Sequence, residues 1–293
     1  MRRISAFFVC AAASALFQIA TAPGALASPI LGSNLSTFAI LGGAGVAING
    51  TGSVITGSVG GCCSATAVTG SIPLNFTIFG GTVQEGGATA IAAQGELAAA
   101  MTALSGMTPN ASKSTLGGLT LLPGVYSSSS TMDLTGTLTL DGGGNADALW
   151  VFLVGSGLNT ASSSVINAIN TGAGAGVYWV LPTGEGSAVL GSNSTFLGNI
   201  VANQSITLGT NVTDPCGRLL TQVASVTLAG TDIVGGTCSG ILAGSNGLSG
   251  GGTLSGGTIT PLPSVPVPEP CTLLLLGTGI AGLATRKLRS ARG

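Results

Sequence analysis

Residues 205–214 read SITLGTNVTD and residues 225–234 read SVTLAGTDIV, so a short apolar run with a polar turn behind it returns after 20 positions. A unit this short cannot bury its apolar side alone, but it can do so by stacking on copies of itself. Laying the other apolar runs over these two extends the pattern into alternating series. Residues 137–140, 187–190, 205–208 and 225–228 form one series, and residues 149–152, 177–180, 199–202 and 219–222 form the other. With Gly at the corners, this is the sequence of a β-solenoid. Residues 55–59 (ITGSV) also return as residues 68–72 (VTGSI), as shorter coils or as a cap on the open end of a stack.

Composition decides between a packed and a disordered reading. The chain has 50 Gly among 293 residues, yet 45% of it is hydrophobic and its β-branched residues recur in runs, which favours packed β structure. There is no His, and the 9 acidic and 8 basic residues leave a net charge of −1. Nucleic acid is excluded as a partner for want of a basic stripe, and any general acid or base would have to be a carboxylate. Asp133, Asp141, Asp147, Glu185, Asp214 and Asp232 do not fall on equivalent positions of adjacent coils, as a catalytic pair would require. The loop DGGGNAD at residues 141–147 falls short of an EF-hand ligand count and reads as a turn. The chain reads as a non-enzyme without cofactor or metal.

One segment breaks the β pattern. Residues 88–105, ATAIAAQGELAAAMTALS, are Ala-rich and free of Pro, and predict a single helix ended near Gly106 and Pro109. With Glu96 as its one charge, that helix is too apolar to stand in water and should lie along the stack.

The two ends frame the domain. Residues 1–27 have the order of a secretory signal: Arg2-Arg3, an apolar run, and Ala25-Leu26-Ala27 before the expected cleavage. The domain occupies residues 28–238, and residues 239–266, rich in Gly, Ser, Thr and Pro, read as a spacer. Residues 267–293 resemble the PEP-CTERM sorting signal of bacteria that make exopolysaccharide: Val267-Pro268-Glu269-Pro270, a short apolar run, then Arg286, Lys287 and Arg289. The resemblance implies processing by sorting machinery, and the basic tip implies transient membrane attachment with that tip on the cytoplasmic side. Export makes disulfides the expected state of Cys62, Cys63, Cys216 and Cys238, which allow three connectivities. Cys216 and Cys238 lie about one coil apart, so stacking can join them, whereas the neighbours Cys62 and Cys63 would bond each other only with strain.

The run from LGSNLSTFAILGGAGVAINGTGSVITGSVGG through the Ala-rich helix, LPGVYSSSS and LTGTLTLDGGGNADALWVFLVGSG to GVYWVLPTGEGSAVLGSNSTFLGNIVANQSITLGTNVTDPCGRLLTQVASVTLAGTDIV resembles the ice-binding-protein-like β-solenoid family. The resemblance covers nearly the whole domain in order. It implies a mainly β fold, a right-handed discontinuous β-solenoid of triangular section with one long α-helix alongside, and in active members a flat face that binds ice. Strand side chains alternate, and every second residue behind each Leu gives a candidate Ser/Thr face: Thr160, Ser162 and Ser164; Ser192 and Ser194; Thr210 and Val212; with Thr51 and Ser53 extending it. The expected function is an exported ice-binding protein, with ice as its partner, displayed at the cell surface or outside the cell. The alternative is a surface or biofilm-matrix module of the same fold that binds exopolysaccharide.

Overall fold

The computed structural model describes residues 28–266 except 63, 65, 71, 73, 74, 183, 185, 236, 237 and 265. The expected signal and sorting segments, Cys63 and Glu185 lie outside the described residues. The chain winds into a three-sided stack of parallel strands, each turn visiting the three faces in the same order.

The first face has nine strands, in the order Val83–Glu85, Ser58–Gly61, Phe38–Gly42, Gly217–Thr221, Gly198–Ala202, Gly176–Leu181, Leu149–Val154, Gly124–Ser128 and Ala111–Ser112. The second has seven: Val68–Thr69, Gly45–Ile48, Ser225–Leu228, Ile206–Leu208, Ser187–Leu190, Gly157–Thr160 and Thr131–Leu134. The third is interrupted. A four-stranded sheet (Phe76–Phe79, Ser53–Thr56, Ile233–Gly235, Thr213–Asp214) meets a three-stranded one (Val165–Ile169, Thr137–Asp141, Thr120–Leu121) only through the bridges of Thr195 to Thr213 and Val165.

Coil order is not chain order. Residues 38–85 form the last two coils at one end, and they dock on the coil made by residues 217–235, with Leu41 opposite Leu220 and Val46 opposite Val226. The chain then crosses to the far end through the helix α1 (Ala88–Ser105) and stacks back from residue 111 towards residue 235.

Burial explains the sequence of each face. First-face strands such as Phe38–Gly42, Gly176–Leu181 and Gly198–Ala202 are buried along their whole length. Their inner side chains fill the stack, and the outer ones (Leu41, Val151, Val180, Val201, Leu220) pack on Ala90, Ala93, Leu97, Ala100 and Leu104 of α1. Ala at these positions lets the helix come close, and a sheet covered on both sides reads as a continuous apolar run. Second-face strands alternate instead, one side in and one side out. Inside the stack, Phe152 lies on Trp179 with ring centroids 3.9 Å apart, flanked by Tyr126 and Phe196. The Trp150 and Trp179 indoles donate to the carbonyls of Leu121 and Leu197.

The helix bounds match the sequence expectation, but the repeat series needs correction in detail. Residues 137–140 belong to the third face, where Leu138 pairs with Ile166; the second-face equivalent of residues 187–190 in that coil is Thr131–Leu134. On the first face the windows slip by one residue at each step, since Trp150 pairs with Val177, Tyr178 with Asn199, and Asn199 with Arg218. The likeness of residues 55–59 to 68–72 is not structural equivalence: the first rounds the corner from third to first face, and Val68–Thr69 lies on the second.

Residues 239–266 are not an open spacer. Leu248 is fully buried, strands Gly252–Ser255 and Thr258–Pro261 form an antiparallel hairpin, and that hairpin pairs with Ser28–Pro29. Its Ile259 joins the layer beneath α1. Enough apolar side chains stand among the Gly and Ser to anchor the tract.

Cys216 and Cys238 form a disulfide with Cα atoms 4.8 Å apart across 22 residues, and Cys62 is also disulfide-bonded. The Cys216–Cys238 bond ties the coil of residues 217–235 to the start of the C-terminal tract. Constraining a loop of this length in the unfolded chain contributes roughly 2–4 kcal/mol. The double variant Cys216→Ala, Cys238→Ala is therefore expected to melt several degrees below the parent in a thermal scan; equal melting would remove the bond from the account of stability.

Candidate functional site

With the first face covered, the second and third remain as open surfaces. On the second, the strand pattern puts Val226 and Leu228 inward and Ser225 and Thr227 outward, and the parallel register repeats this from coil to coil. Two outward columns result. Ser187, Ser205 and Ser225 form one, and Val189, Thr207 and Thr227 form the other, continued by Ala47 and Thr69. The Ser205 hydroxyl donates to that of Ser187 at 3.2 Å. Among the described residues of its strands, charge enters this face at the far end, where Asp133 accepts from Asn159 and Thr131. Neighbouring rungs of such a sheet stand ~4.7–4.9 Å apart, and β-branched side chains are stiff at χ1, so hydroxyls and methyls hold a nearly fixed two-dimensional spacing.

The third face carries a single longer column of β-branched residues: Thr137, Val165, Thr195, Thr213, Ile233, Val54 and Thr77. It is broken at Thr195, and large apolar side chains, Phe79 and Ile169, stand out of it.

The residues picked from the alternation behind each Leu do not form a face. Thr51, Ser162 and Thr210 are exposed and Ser192 is half-buried, all on the corner between second and third faces, while Ser53, Thr160, Ser164, Ser194 and Val212 are buried. The reason is the turn itself. Ser163, Asn193, Asn211 and Thr231 adopt left-handed backbone, with φ of 61°, 60°, 62° and 55°, which ends the period of two. The residue after each then points inward. Ser164 donates to the carbonyls of Leu134 and Ala161, and Ser194 to those of Gly191 and Ala161. Thr160 is an inward strand residue whose hydroxyl accepts the Gly191 N–H. The corner has its own ladder, with the Asn211 amide donating to Asn193 at 3.0 Å. The outward columns lie one turn earlier, and the signal for them was the Ser-x-Thr spacing inside the strands.

Buried polar chemistry away from these two faces serves structure. Arg218, 5% exposed, donates to Asn199 Oδ1, to the carbonyls of Ser36, Asn246 and Gly247, and to Asn246 Oδ1, at 2.9–3.2 Å. It lines a polar cleft of about 330 Å³ beside Ser36, Phe38 and Gly217. Asp214 is fully buried, and neither of its carboxylate oxygens has a partner in hydrogen-bond geometry. Burial holds its carboxyl well above the usual range, against the weaker pull of the nearby Gly198 N–H and the Arg218 charge. Burial also raises Asp232, which accepts the Val212 and Gly230 N–H groups.

A carboxyl raised in the folded state contributes stability that is complete below the unfolded value of ~3.9, and that contribution is lost as pH rises through the folded value. The melting temperature is thus expected to fall as pH rises from about 4, and Asp214→Asn, neutral throughout, to flatten that slope, with Asp232 sustaining the remainder. A variant with the parent's full slope would assign the dependence to other groups.

Among the described residues no cluster of His, Cys, Asp and Glu could hold a metal ion, and no helix is long and apolar enough to cross a membrane. Comparison with known proteins agrees with the geometry. The Ice-binding-like family matches residues 40–234, and the PEP-CTERM protein-sorting motif matches residues 266–290. An ice-binding protein of Nostoc sp. (strain HG1) is 39% identical over 251 residues, which is 85% of this chain and 82% of the relative. The crystal structure of an ice-binding protein from the Antarctic ascomycete Antarctomyces psychrotrophicus aligns with a TM-score of 0.63 and 30% identity, over 73% of this chain and all of that one. An ice-binding domain of Shewanella frigidimarina aligns with a TM-score of 0.61 and 25% identity, over 73% and 99% of the two chains. These relatives are all ice-binding proteins by name. A three-sided parallel stack with a helix along one face, matched over most of its length in sequence and in structure, places this chain in the ice-binding-like family.

Proposed function

We propose that this chain is an exported ice-binding protein that adsorbs to ice through the outward columns of its second face. The observation that supports this most is the pair of parallel columns, Ser187-Ser205-Ser225 and Val189-Thr207-Thr227, on an uninterrupted seven-stranded sheet. Two columns side by side define a surface lattice, which the single interrupted column of the third face does not. Each Thr offers water a hydroxyl and a methyl at fixed spacing, and each rung is already ordered, so adsorption costs little side-chain entropy. The sorting motif supports export. No observation favours the matrix-module alternative or an exopolysaccharide partner.

The test is ice growth in a solution of purified residues 28–266, a boundary that keeps the C-terminal hairpin whole. Faceted crystals and a gap between freezing and melting points are expected. Round crystals that grow without delay would overturn the proposal.

A further inference from the structure

The tract read as a spacer bears on how the protein sits on a cell. Leu248 accepts from Val177 N–H and from the Asn199 amide, Leu262 donates to Gly251, and Pro266 bridges antiparallel to Asn145. The sorting motif begins at residue 266. The described part of the body therefore reaches the residue at which the sorting motif begins.

The place of exit is equally defined. Asn145 lies in the turn between Thr137–Asp141 of the third face and Leu149–Val154 of the first. In a triangular section the corner between those two faces is opposite the second face. We propose that the envelope-attached chain is held in one orientation, its first-to-third-face corner against the envelope and its second face turned outward. A flexible tether of about 28 residues would span roughly 26–32 Å and let the body tumble; a body folded up to residue 266 lacks that tether. The partner at the corner is the envelope surface. What the outward face then meets rests on the reading of that face as ice-binding, and it means that the chain holds ice while still attached to the cell.

The test uses the full chain in cells that carry out the sorting, with single added cysteines probed by a bulky polyethylene-glycol maleimide and the parent chain as background. Thr207→Cys reports on the second face, and Ala173→Cys on an exposed turn of the exit corner one coil away from Asn145. In the envelope fraction, Thr207→Cys is expected to react as fast as in detergent-released chain, and Ala173→Cys several-fold more slowly than when released. Equal rates at both sites, protection of Thr207→Cys instead, or no chain in the envelope fraction would overturn the proposal. The readout does not involve ice. A chain that shows this labelling but no effect on ice growth keeps its orientation and loses the ice-binding reading.

Discussion

Thr207→Tyr is expected to abolish most of the thermal hysteresis while leaving the melting curve in place. Thr207 is an outward residue at the centre of the second face, with Val189 and Thr227 on the adjoining rungs. The core on that strand is supplied by Ile206 and Leu208, both buried. A substitution on the solvent side usually changes stability by no more than about 0.5 kcal/mol. Contact with a flat crystal surface is a different demand. One protruding ring lifts the neighbouring rungs away from the lattice, and the loss spreads over the whole patch. The matched variants Thr213→Tyr, on the third face, and Thr210→Tyr, on the corner, are expected to retain most activity. Loss confined to Thr213→Tyr would move the ice-binding surface to the third face, and loss confined to Thr210→Tyr would move it to the corner.

The second large effect is on stability. Arg218→Ala is expected to cost about 3–5 kcal/mol, because it strands buried acceptors that a charged group had satisfied and leaves Asp214 without its neighbouring charge. Those acceptors belong to three parts of the chain: Ser36 before the first coil, Asn199 within the stack, and Asn246 and Gly247 in the C-terminal tract. The measurement is a denaturant curve paired with limited proteolysis, and cleavage should appear first between residues 240 and 262. Arg218→Lys should rescue little, since a point charge cannot serve acceptors spread around a planar guanidinium. A midpoint equal to the parent's would show that the tract is held by apolar packing alone.

These residues also mark how far the sequence could be read. The stacking, the helix and the Cys216–Cys238 pair were legible because each rests on a local signal: a repeated apolar run, Ala-rich composition, or a spacing of about one coil. Register was not, because a one-residue slip between 199–202 and 219–222 still sets apolar residues of Ile200-Val201 and Leu219-Leu220 against each other, and a strand buried on both sides carries no alternation to fix its phase. The candidate face was misplaced for a related reason. The period of two holds through Thr227 and Leu228 and ends at the left-handed Thr231, and Ser or Thr beyond such a turn reads the same whether it faces water or a carbonyl. Arg218 gave no pattern, because its partners come from distant parts of the chain.

The out-of-order stacking sets when this molecule can finish folding. The Gly43 N–H bonds the Thr221 hydroxyl across 178 residues, and the two coils built from residues 38–85 have no sheet to join until residues 217–235 exist. Non-local pairing of this kind slows folding, since loop closure must precede any gain from contact. A chain synthesised from its N-terminus therefore carries residues 38–85 without the coil they dock on through most of its production. The native state is completed only when residues 217–235, which close the stack, have arrived.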